Sequence, residues 1–213
     1  MRTIAIFLHH PVCSVQSVNG IIQSLTPHYR FKIFTKHDIE DTYFDDVDCI
    51  CFPGGFGDSD KFDTLAVRHV DSIHSYISRG GRYLGICMGA YWADADYLNI
   101  LPVGNRVVQY IKQPGTDTRR PHAKGCEVTW QGKKERMYFY DGAAITGNNM
   151  DVVATYSNGD AMAAIQGQIG LIGCHPESQK DWYDYYTWMP RHWHRGRHNK
   201  LLLEFVDKLL NDK

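Results

Sequence analysis

Three short stretches hold residue types that do chemistry together. In "LGICMGAYWA" (84–93), Cys87 sits between Gly85 and Gly89 with an apolar run before it. That is the spacing of a nucleophile elbow, with cysteine in place of serine. The turn is so tight that a side chain at either glycine would clash, while the central side chain is forced outward. A helix starting just after it would favour the thiolate through its N-terminal N–H groups. Taken alone, the stretch also fits a buried thiol that fills space. In "CHPE" (174–177), His175 and Glu177 lie two residues apart, and such residues face the same side of extended backbone. His175 can then take the Cys87 proton while Glu177 fixes its tautomer, the arrangement a cysteine nucleophile requires. Alone, that pair fits equally a strand-end histidine beside a surface glutamate. "PGGFG" (53–57) follows a third apolar run, and the Gly55 and Met88 N–H groups would give two donors for an oxyanion. Gly54, Phe56, Tyr91 and His10 are the candidate substrate contacts beside them. This set calls for no metal and no cofactor.

These residues converge only if the elements before them form one sheet. "TIAIFL" (3–8), "RFKIFT" (30–35), "DCICF" (48–52) and "RYLGI" (82–86) read as buried strands. Val15, Val18, Ile21, Ile22 and Leu25 mark a helix with Ser14 as N-cap. Ala66, Val70, Ile73 and Ile77 mark another, closed by Gly80 and Gly81. Strands alternating with helices predict a parallel sheet covered on both faces, which binds its ligand at the carboxyl ends of the strands. From 105 to 175 the pattern changes to short strands punctuated by Gly, Asn and Asp: "RVVQYI", "CEVTW", "RMYFYDG", "DVVATYS", "AMAAIQG" and "QIGLIG". These predict antiparallel hairpins. "LLLEFVDKLL" (201–210) predicts a closing amphipathic helix. The expected fold is a flavodoxin-like three-layer α/β sandwich, with a mainly parallel central sheet and added antiparallel strands in the C-terminal half. Residues 1–213 read as a single domain without repeats or linkers.

Composition narrows the function classes. The net charge of −1 gives no global field to attract nucleic acid or an anionic membrane. No run approaches the roughly 20 apolar residues of a membrane span. The six cysteines form no Cys-x-x-Cys pair, and Cys49, Cys51, Cys87 and Cys174 lie in or beside apolar runs, which suits reduced thiols. With no signal-peptide pattern at the N-terminus, a cytoplasmic location is expected.

The order of P-G-G at 53–55, G-x-C-x-G at 85–89 and H-P-E at 175–177 resembles the class I glutamine amidotransferase-like superfamily over nearly the whole chain. Cys87, His175 and Glu177 match that family's triad one for one. "FPGGFGDSDKF", "GRYLGICMGAYWA" and, more loosely, "QPGTDTRRPHAKG" are most similar to the amidotransferase-like N-terminal domain of biotin–protein ligases and its stand-alone relatives. The resemblance implies an amide or glutamyl-type carbonyl in a small molecule or peptide as substrate, attacked by Cys87 to give a thioester. These 213 residues hold neither a ligase catalytic segment nor an ammonia acceptor, so a non-catalytic binding or regulatory module is the alternative reading. A third, weaker one makes Cys87 an oxidation sensor.

Outside this set, Trp182, Tyr183, Tyr185, Tyr186 and Trp188 predict either a rim over the site or an interface with another copy or a separate partner protein. His192, His194 and His198 have metal-ligand residue types but lack a carboxylate at matching spacing, and read as a solvated basic loop. Arg119, Arg120, His122 and Lys124 have the charge to attract a carboxylate-bearing substrate, but read in preference as a solvated loop.

Overall fold

A computed structural model describes residues 1–10, 12–38, 42–56, 59–65 and 67–211. The N-terminal half alternates β1 (Thr3–Phe7), α1 (Val15–Leu25), β2 (Arg30–Phe34), β3 (Cys49–Phe52), α2 (Ser59–Leu65), α3 (Val70–Ser78), β4 (Arg82–Ile86) and α4 (Met88–Trp92). The C-terminal half brings β5 (Arg106–Gln109), β6 (Lys124–Trp130), β7 (Lys133–Phe139), β8 (Ala143–Thr146), β9 (Asp151–Tyr156), β10 (Ala161–Gln166) and β11 (Ile169–Ile172). It ends with α5 (Lys180–Asp184) and α6 (Arg197–Asn211).

The sheet runs β2-β1-β3-β4-β11-β10-β9-β6-β7, with β8 joining β10 and carrying β5. From β2 to β11 every pairing is parallel, the doubly wound order of flavodoxin-like sheets. The remainder is antiparallel. Strands β1 and β3 are buried at every residue, because both sheet faces are covered. Ile4, Ile6, Cys49 and Cys51 pack with Val18 and Ile21 of α1 and Leu202, Phe205 and Val206 of α6. On the opposite face, Ala5, Phe7, Ile50 and Phe52 pack with Phe62, Ile73 and Trp92 of α2, α3 and α4. The period of two along each strand produces this division into three layers.

Ser14 is the N-cap of α1, as the sequence predicted, and accepts from the Ser17 N–H. The helix expected across Ala66 to Ile77 is interrupted: α2 ends at Leu65, a 3-10 turn spans Val67–His69, and α3 begins at Val70. Ala66 lies outside the described residues. Strand β8 has no counterpart in the sequence reading. "AAIT" is only four residues long between Gly142 and Gly147, too short for alternation to show.

Three strands deliver the candidate chemistry to one edge. Gly54 and Gly55 follow β3, Cys87 follows β4, and His175 follows β11. Helix α1 packs so closely on the last segment that a Cβ at Gly20 would lie 2.3 Å from the Glu177 carbonyl oxygen and 3.2 Å from its Cγ. Glycine to alanine inside a helix is ordinarily worth about 0.5–1 kcal/mol of added stability. Gly20→Ala is predicted to reverse that sign and cost about 1–3 kcal/mol by overpacking, read as a lower urea midpoint.

Candidate active site

Cys87 occupies a backbone conformation that a side chain rarely adopts, φ 50° and ψ −101°. Such a conformation costs on the order of 1–3 kcal/mol and persists only where the surroundings enforce it. Here they do. A Cβ at Gly85 would lie 2.4 Å from the Gly89 carbonyl oxygen, and one at Gly89 would lie 2.0 Å from that of Phe52. The Cys87 N–H donates to the Ile172 carbonyl at 2.8 Å, and the buried Tyr83 hydroxyl donates to that of Gly89 at 2.7 Å. The elbow is therefore stitched to β3, β4 and β11 together. Its thiol lies 3.6 Å from the Tyr140 carbonyl oxygen.

His175 is held from four sides. Its backbone N–H donates to the Tyr138 carbonyl at 2.9 Å. Its ring meets Trp182 and Tyr138 edge to face, with centroids 5.4 and 5.9 Å apart. Gly54 leaves room on the third side, where a Cβ would come within 2.6 Å of His175 Cε1. On the fourth, His175 Nδ1 is 2.9 Å from Glu177 Oε1, which directs Nε2 to the other side of the ring. Burial by itself would lower the imidazole pKa, but the Glu177 carboxylate, together with the charge and hydrogen bond of the facing Cys87 sulfur as thiolate, overrides it and raises it to about 10.

Glu177 is completely buried. Its Oε1 also accepts from the Ser17 hydroxyl at 2.7 Å, and the Ser17 oxygen accepts from the Gly54 N–H at 3.0 Å. Ser17 thus links the glycine loop after β3 to the carboxylate behind His175. Sequence reasoning passed over it as one position of an amphipathic helix. The available signal was a row of small residues, Ser17, Gly20 and Ser24, all on the buried face of α1.

Cys87 and His175 open into a cavity of about 1000 Å³, also lined by His10, Gly54, Gly55, Phe56, Met88 and Tyr91. Every candidate contact named from the sequence is therefore on its wall. Gly85 and Gly89 lie within the elbow, and Glu177 lies behind His175. The sequence reading missed Gln109, Tyr138 and Asp141, which the antiparallel half brings to the same wall. Trp182, Tyr185 and Tyr186 line it too and form a rim, whereas Tyr183 is buried and Trp188 donates to the Ala123 carbonyl, both off that wall. Arg119, Arg120 and His122 are exposed away from it, whereas Lys124 is the half-buried first residue of β6, so the loop expectation fails for it.

The expectation of a solvated loop fails for two of the three C-terminal histidines. His194 and His198 are buried, with rings stacked at 4.2 Å. His194 Nε2 bonds the Ser178 carbonyl at 3.0 Å, and His198 Nε2 lies 3.1 Å from Glu135 Oε2, which also pairs with Arg197. Burial pushes both imidazoles down to about 4. Helix α6 starts at Arg197, ahead of the expected Leu201, and this extra turn carries His198 inward.

Solved structures share this architecture. A glutamine amidotransferase aligns over 98% of this chain and 99% of its own, with TM-score 0.67 and 15% identity. Another, from Thermotoga maritima, aligns over 99% of both chains with TM-score 0.67 and 13% identity. The fold is that of the class I glutamine amidotransferases. Within it, residues 8–99 match the family described as biotin-protein ligase, N terminal. The biotin–protein ligase of Schizosaccharomyces pombe is 26% identical over 204 aligned residues, covering 78% of this chain and 31% of that protein. The chain thus spans about a third of that relative's length. Among the described residues, no helix is long and apolar enough to cross a membrane.

Two outcomes follow from the Ser17–Glu177–His175 contacts. Ser17→Ala should lower stability by about 1–3 kcal/mol, because a buried acceptor loses its donor; urea titration checks this. At pH 6, iodoacetamide should alkylate Cys87 about tenfold or more faster in the natural protein than in His175→Ala, where no imidazolium stabilises the thiolate. Intact-mass kinetics read that ratio, and equal rates would refute the pairing.

Proposed function

We propose that the chain is a cysteine-dependent, amidotransferase-like hydrolase that acts on an amide or glutamyl-type carbonyl. The observation that carries this reading is the buried Glu177–His175 pair facing Cys87 on a strained elbow at the floor of the cavity. In the resting site His175 already holds the proton from Cys87, and the sulfur attacks the carbonyl carbon as the thiolate beside that imidazolium. The Gly55 and Met88 N–H groups receive the oxyanion. Collapse breaks the C–N bond, and the proton on His175 goes to the leaving nitrogen, producing an amine or ammonia and a Cys87 thioester. His175 then removes a proton from water, whose oxygen attacks the thioester, and Cys87 leaves as the thiolate while His175 keeps that proton, which restores the resting pair. Glu177 remains ionised on Nδ1 throughout, holding the ring and stabilising its charged form.

A second reading, a non-catalytic binding or regulatory module, is favoured by the likeness of residues 8–99 to the N-terminal region of biotin–protein ligases. Acid-quenched intact mass during incubation with amide, glutamyl and peptide substrates separates the two. The catalytic reading predicts an acyl adduct on Cys87 that Cys87→Ala lacks, and a drop in kcat of about 10²–10⁴ for Glu177→Gln. Binding without any adduct, or turnover that survives Cys87→Ala, would contradict it.

A further inference from the structure

The cavity wall is uneven in charge. Asp141 and Asp181 line it, while among the described residues on that wall none is Lys or Arg. Its remaining ionisable groups, besides tyrosines and the thiols of Cys13 and Cys87, are the imidazoles of His10 and His175. Both Asp141 oxygens accept from Gln109 Nε2, at 3.3 and 3.1 Å. That donor is neutral, so the aspartate charge is oriented and not cancelled. Asp181 stands in the first turn of α5, exposed at the mouth. Its neighbour Lys180 is turned to Asp184.

The rim adds aromatic surface at right angles to itself. Trp182 and Tyr138 meet with centroids 5.3 Å apart and planes at 78°, and Tyr185 and Tyr186 at 4.9 Å and 78°. Ring faces bordered by carboxylates attract cations through the ring quadrupole and through the field of the acids. The same surface repels a carboxylate.

We propose that the substrate of this site carries an ammonium or other cationic group and no carboxylate near its reactive carbonyl. It would be an amide of a diamine or a basic peptide in preference to a free α-amino acid. This rests on the reading of Cys87 as the nucleophile. The cation lies against the Tyr138–Trp182–Tyr185 wall, between Asp141 and Asp181, while the carbonyl reaches Cys87.

Three chloroacetamides of matched size test it, with trimethylammonioethyl, 3,3-dimethylbutyl and carboxyethyl tails. The rate of Cys87 alkylation by each is divided by its rate with 2-mercaptoethanol. The expected order is cationic, neutral, anionic, with about a tenfold advantage of the first over the second, the scale of a cation–π contact reinforced by charge. Added salt should shrink the advantage. Asp141→Asn with Asp181→Asn should bring the ratio toward one, and asparagine tolerates the positive φ of 48° at position 141. Calorimetry of the Cys87→Ala protein with the corresponding unreactive acetamides reads the same preference without thiol chemistry. If Cys87 is inert to all three probes, the catalytic reading fails and calorimetry still decides the charge preference. Equal affinities, preference for the anion, or no binding of the cationic acetamide at millimolar concentration overturns the proposal.

Discussion

The buried carboxylate of Glu177 is the constraint on which the candidate site depends. An ion without solvent contact costs several kcal/mol unless it is paired and hydrogen-bonded. Glu177 Oε1 meets both requirements, with His175 Nδ1 at 2.9 Å and the Ser17 hydroxyl at 2.7 Å. These partners reach it only because their neighbours are small. Gly20 lets α1 lie against the Glu177 backbone, and Gly54 lets the His175 ring lie against the loop after β3. Substituting either glycine would push apart groups whose separation sets the charge on the imidazole.

The elbow depends on the same kind of close approach. Gly85 and Gly89 bring the backbone around Cys87 against the end of β3, and the parallel order β3-β4-β11 places the three loop starts side by side. Strain at Cys87 is maintained by the sheet and by the Tyr83 hydroxyl beneath it. The parallel sheet thus fixes Cys87 and His175, while the antiparallel half supplies Tyr138, Tyr140 and Asp141 around them.

Local patterns made most of this legible in the sequence. Continuous apolar runs marked β1, β3 and β4, and the glycines flanking Cys87 reported a steric need that the backbone distances repeat. His175 and Glu177 announced themselves by spacing. What stayed hidden depends on contacts between distant segments. Ser17 gains its partner 160 residues along the chain. The Asp141-Gly142 pair signalled a turn after β7, but nothing local showed that this turn would face the cavity. His194 and His198 looked like a solvated loop because their partners, Ser178 and Glu135, belong to other elements.

The central claim is that Glu177 holds His175 as an imidazolium opposite Cys87. Nitrogen-15 NMR of the His175 ring across a pH series tests it most directly. The account predicts that both ring nitrogens are protonated at neutral pH and stay so until the pH nears about 10, and that Glu177→Gln moves the transition to lower pH. A singly protonated, neutral ring at neutral pH in the natural protein would contradict it.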